Sequence, residues 1–191
     1  MSLTTLDIKE PGLNVLPPGV ERHVINAGGL TGLQIFPDDE IEIINEEGNQ
    51  ICEIVCFDKN GKSELGILNL KVNDKASFIR EILTKKIESS LITNHQLKKR
   101  NLNINEANSA IVFDNDTPNG EKLKFKSKDK CYVIFAAPQN EMLISDQNPS
   151  SDLTLFIKRS KIKDDKELSI IPDPVYEPNY EKNIDRQTAI S

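Results

Sequence analysis

The sequence predicts a mainly β (α+β) protein, an antiparallel β-sandwich or barrel of short strands with one amphipathic helix around 74–91. Three observations carry that expectation. Short runs rich in Ile, Val and Phe recur along the chain. Gly, Asn, Asp or Pro bounds each of them. One segment alone, 74–91, switches to helical spacing.

The first 22 residues carry Pro11, Gly12, Pro17, Pro18 and Gly19. Prolines this dense prevent helix and central strand, so an extended lead-in is expected. A single β-rich domain is then expected over 23–158. Its strands read HVIN, LTGLQIF, EIEIIN, ICEIVCFD, LGILNL (65–70), SAIVFD, LKFK, CYVIFAA, EMLIS (141–145) and LTLFIK. EIEIIN alternates, the corner EEGNQ follows, and ICEIVCFD comes next. That order predicts a β-hairpin with Gly48 supplying positive φ. In DKASFIREILTKKIESSL, Ala76, Ile79, Ile82, Leu83, Ile87 and Leu91 share one helical face. Asp74 is placed to cap its start. A further helical turn is expected around 94–101. Lys85, Lys86, Lys98, Lys99 and Arg100 make this region basic, which reads as a solvated outer face. A phosphate or partner patch is the sharper alternative. Pro172, Pro174 and Pro178 make 159–191 an extended tail or linker.

Composition narrows the function classes. A net charge of −6 argues against general nucleic-acid binding, which needs clustered Lys and Arg. No apolar run reaches membrane-spanning length, and the N-terminus lacks a secretory pattern. Three cysteines are an odd number and form no disulfide framework, so a cytoplasmic setting is expected.

The cysteines decide the metal question. Within one strand, Cys52 and Cys56 face the same side about 13 Å apart, at roughly 3.3 Å per residue. A disulfide needs Cα atoms within about 7 Å, and zinc–sulfur bonds are about 2.3 Å, so neither bridge nor shared ion fits. Buried free thiols are the expected state, Cys131 included. His23 and His95 are the only histidines. A set of His23, Cys56 and Asp58 has no supporting spacing rule, so no metal site is assigned. AGGLTG (27–32) lacks the Lys-Ser or Lys-Thr of a phosphate loop and reads as a bend permitting close approach. FDNDTPNGEK (113–122) fails as a calcium loop, because Pro118 takes a ligand position. No catalytic residue is assigned. The ligand-binding candidates are Asn49, Gln50, Cys56 and Asp58, as the lining of a pocket at a barrel mouth, where the side-chain amides at the turn can pair with a carboxylate or urea-like group.

Residues 23–58, HVINAGGLTGLQIFPDDEIEIINEEGNQICEIVCFD, resemble the opening β-segment of the urea-carboxylase-associated family. The chain also resembles the N-terminal region of bacterial glycine-cleavage T-protein-like, folate-dependent aminomethyltransferase fusion proteins, with Arg186, Gln187, Thr188 and Ala189 matching the stretch after their linker. The family's metal-associated Cys-Gly-x-His-Asp segment has no counterpart here. The resemblance implies an accessory, non-catalytic N-terminal domain in one-carbon metabolism. Its partner would be the remainder of a larger transferase-like polypeptide or its oligomer. Tetrahydrofolate would belong to that transferase portion, with no cofactor in this segment. The alternative is a small-molecule-binding β-barrel or degenerate enzyme of the urea-carboxylase-associated type.

Overall fold

The computed structural model describes residues 16–139 and 149–161. The expected strand at 141–145 and most of the two expected end segments lie outside those residues. Among the described residues, eight strands build two four-stranded antiparallel sheets. They are β1 (Val20–Ile25), β2 (Gly29–Ile35), β3 (Glu40–Asn45), β4 (Cys52–Phe57), β5 (Ser109–Phe113), β6 (Glu121–Lys126), β7 (Cys131–Ala137) and β8 (Leu153–Lys158). One sheet runs β1-β8-β3-β6 and the other β2-β7-β4-β5. The sandwich expected from the sequence is the observed architecture. Two helices, α1 (Ser77–Thr84) and α2 (Glu88–Lys99), pack on the outer face of the second sheet.

The residue pattern of each strand explains its place. β3 and β6 alternate apolar and charged residues, so one face enters the core and the other meets water. β4 and β7 are apolar at nearly every position and buried throughout. Cys52, Ile54, Cys56, Val133 and Phe135 fill the core between the sheets. Val55, Phe57, Ile134 and Ala136 pack under the helices with Ile79, Ile82 and Leu97.

Three expectations change here. EEGNQ is a crossover, because β3 pairs with β6 and β8 while β4 pairs with β5 and β7 in the opposite sheet. Gly48 does have positive φ, 75°, and a side chain there would strike Thr117 and Asn119. LGILNL is a 3-10 turn over Leu65–Leu68, with Leu65 and Leu68 three apart and both plugging the inter-sheet core. The single helix at 74–91 is two. The chain is extended at Lys85 and Ile87. The Leu83 carbonyl at the end of α1 accepts a hydrogen bond from Asn94 (2.9 Å) of α2, and the Ile82 carbonyl, which also takes the Lys85 N–H, accepts one from Ser90 (2.7 Å). Ile87 and Leu91 consequently face outward.

The cap of α1 also comes from elsewhere. Asp74 bonds Ser77 Oγ and the Lys75 N–H, while the residue flanking the helix is Ala76 at φ 52°. The buried Glu53 of β4 accepts from the Ile79 N–H (2.7 Å) and from Ser109 Oγ (2.7 Å). Ser109 Oγ in turn accepts from the Ala76 N–H (2.8 Å). Two strands thus supply a capping arrangement for a helix that lacks one in its own sequence. None of the described helices is long and apolar enough to cross a membrane.

Glu53→Ala strands these donors in the interior and lowers stability by about 1–3 kcal/mol in urea denaturation. Burial raises the Glu53 carboxyl above its ordinary value, opposed by the hydrogen bonds from Ser109 and Ile79. Its contribution to stability is therefore full below pH 4.5, the reference value, and is lost as pH rises through the folded-state pKa. Glu53→Gln should flatten that part of the stability–pH profile.

Candidate functional site

β1 and β2 are the edge strands of opposite sheets, joined by a short connection at Asn26–Gly28. Gly28, at φ 75°, makes the turn between them. Among the described residues, β2 pairs with β7 on one side only. Beside it runs a cleft of about 490 Å³, walled by His23 and Val24 of β1, by Ser89, Ile92 and Gln96 of α2, and by Ile87 and Arg100, which flank that helix.

Tyr132 of β7 lies against this cleft and is only 5% exposed. Its hydroxyl has no hydrogen-bond partner among the described residues. The Arg100 guanidinium sits over the ring, 4.7 Å from the centroid, and donates to Gln96 Oε1. Any Cβ at position 32 would overlap the Tyr132 hydroxyl, so Gly32 is what lets the phenol reach this place. Burial pushes the phenol pKa up to about 12, with Arg100 pulling the other way. At neutral pH the group is therefore an uncharged donor beside a cation.

At the far side of the cleft, His23 Nε2 is 3.1 Å from Glu21 Oε2. Glu21 takes two further bonds from Arg159, at 2.7 and 2.9 Å. Burial raises the Glu21 carboxyl, but the hydrogen bonds from His23 and Arg159 outweigh it and hold the group below its ordinary value. Arg159 Nη1 also donates to the buried Asp39 (2.7 Å) and to the Gln34 carbonyl (2.9 Å).

The four residues singled out from the sequence lie in separate surroundings. Gln50 is fully buried, donating to the Ile51 and Pro138 carbonyls and accepting from the Ser151 N–H. Asn49 sits at φ 57° with its N–H bonded to the Thr117 carbonyl. Asp58 caps its own turn through the N–H groups of Asn60 and Lys62, which hold its carboxyl low, the Lys62 bond most of all. Cys56 is in the inter-sheet core, and its thiol is pushed up by a hydrogen bond with Cys131 and by burial. None of the four lines the cleft. Among the described residues, no three His, Cys, Asp or Glu side chains gather in a way that could hold a metal ion. The sequence did signal Arg100, through the basic run, and Gly32, through AGGLTG. Nothing local marked Tyr132.

No family model matches the chain. It is 32% identical over 182 residues to the trimethylamine-oxide aldolase of Ruegeria pomeroyi, covering 95% of this chain and 23% of that protein. The chain thus spans about a quarter of the relative's length. A DUF1989 family protein from Silicibacter pomeroyi aligns in structure at 9% identity over 75% of this chain and 80% of its own, with a TM-score of 0.41, too low to establish a shared fold.

The sequence comparison corrects the sequence-based assignment. The similar protein is a trimethylamine-oxide aldolase, and that match shows no link to glycine-cleavage T-proteins. The role of accessory domain in a folate-dependent aminomethyltransferase, the urea-carboxylase-associated alternative and the transferase label are all set aside. The resemblance rested on 23–58, a stretch of strand alternation and turn residues that many β-proteins share, and on the four residues Arg186, Gln187, Thr188 and Ala189, a match too short to be specific and outside the described residues.

Two measurements check the site. Arg159→Ala leaves Asp39 buried without its cation and should cost about 3–5 kcal/mol on unfolding. Gly32→Ala should evict the phenol and destabilise by about 1–3 kcal/mol, with a change in tyrosine fluorescence.

Proposed function

We propose that this chain is the β-sandwich portion of a larger trimethylamine-oxide aldolase-like protein, and that the cleft along β2 is where it meets a small ligand. The alignment carries the reading: 95% of the chain matches a protein about four times its length. A near end-to-end match to a fraction of a longer protein is what a self-contained module gives. The sandwich and helix-covered cores, built from this chain's own side chains, support that reading. On this reading its partner is the rest of that larger polypeptide. Its setting is the cytoplasm, where three free, buried thiols persist unoxidised.

The aldolase-type split of trimethylamine oxide that balances in atoms and electrons without another reactant yields dimethylamine and formaldehyde. The complete polypeptide carrying this chain is therefore expected to release the two in equal amounts from trimethylamine oxide. Absence of both products from the folded, complete protein overturns the reading.

A further inference from the structure

Tyr132 presents a puzzle that the fold itself does not answer. Buried polar groups almost always find partners. Here the hydroxyl of a nearly enclosed side chain finds none among the described residues, although Gly32 leaves room for it. Phenylalanine would fill the same space without the cost of an unpaired hydroxyl. Beside it, the Arg100 guanidinium meets no carboxylate among the described residues and spends a donor on the neutral Gln96 amide. Two donors, one charged, therefore line the same cleft, the guanidinium over the phenol ring, with the hydroxyl unused and the guanidinium only partly used among the described residues. The walls that continue from them carry Leu30 and Ile92.

We propose that Tyr132 and Arg100 form a subsite for the negatively charged oxygen of a small molecule whose body is apolar, an N-oxide or a carboxylate. A charged oxygen is a stronger acceptor than the Gln96 amide. On ligand entry Arg100 exchanges Gln96 for that oxygen, swings from the ring, and opens the hydroxyl beneath it to the same atom. Gly32 keeps the hydroxyl in place, and Gln96 parks the guanidinium in the empty cleft. Trimethylamine oxide has only five non-hydrogen atoms, whereas clefts of this volume suit larger molecules. Selection then comes from the oxygen subsite, not from filling the space. The subsite deepens the reading given above and rests on it for the N-oxide; the carboxylate is independent of it.

The test uses the 191-residue chain, with binding followed by amide NMR of Gly32, Gln96 and Arg100. The probes are trimethylamine oxide, pivalate, and tert-butanol as the uncharged control. At least one of the first two should shift these signals saturably, while tert-butanol should not. Tyr132→Phe and Arg100→Met should each weaken that binding about tenfold. Tyr132→Phe should at the same time leave the melting temperature unchanged or higher, which a purely structural tyrosine would not do. Saturable pivalate binding that depends on both residues, with no response to trimethylamine oxide, upholds the subsite and counts against the N-oxide reading. Wild-type affinity in both variants, or no shift with either charged probe, overturns the subsite. It does so even if the complete polypeptide cleaves trimethylamine oxide.

Discussion

Arg159 joins three strands' worth of structure at one end of the sandwich through a single side chain. Its side chain is almost wholly enclosed and bonds Glu21 of β1, the Gln34 carbonyl of β2, and Asp39 in the turn before β3. Asp39 also accepts the N–H groups of Phe36 and Ser160. Burying these charges carries a large desolvation cost, which is offset only because nearly every donor and acceptor is satisfied. Glu21 and Gln34 lie on the two strands that wall the cleft. At one end these strands are tied by the covalent Asn26–Gly28 connection, and at the other by this guanidinium. These two links tie β1 to β2 at both ends of the cleft wall, and Glu21 also holds the His23 ring.

How the sequence encodes this fold differs from level to level. Alternation in EIEIIN and unbroken apolar character in CYVIFAA each report which faces of a strand are covered, because that is a property of one strand against its two surroundings. The pairing of strands is not local in that sense. EEGNQ has the residues of a hairpin corner, yet the same residues serve a chain that leaves one sheet for the other. LGILNL has the composition of a strand, but its leucines at 65 and 68 are spaced for a tight helical turn that plugs the sandwich end. The helix break was hidden because α2 buries Ser90, Thr93 and Gln96, which read as surface residues until their acceptors are known. The candidate site was hidden for the same reason. Asn49 and Asp58 advertise polarity because they make turns, whereas Tyr132 sits inside an apolar strand and gains meaning only from Gly32 and Arg100, each distant from it in sequence.

The two outer faces of the sandwich are treated differently. Helices cover one. The other carries Glu40 with Lys158, Glu42 with Lys124 and, at its corner, Asp38 with Lys126. Exposed pairs like these contribute little to stability. Their effect is to keep the face wet, and the lysines of β6 make that edge a poor template for a further strand. β2, the edge strand of the opposite sheet, has no such run of lysines; α2 and the cleft lie alongside it instead.

Register has a last consequence, for the order of events during synthesis. Val20 lies opposite Lys158, and β8 sits between β1 and β3. The first described strand must therefore wait for the last described one before it can make these bonds, its backbone meanwhile bonded to water. The β2-β7-β4-β5 sheet is complete once Ala137 has emerged and can form beforehand. Long-range closure of this kind slows folding. A nascent chain stalled between those two points would expose the inward faces of β1 and β3, which makes it a natural client for a chaperone.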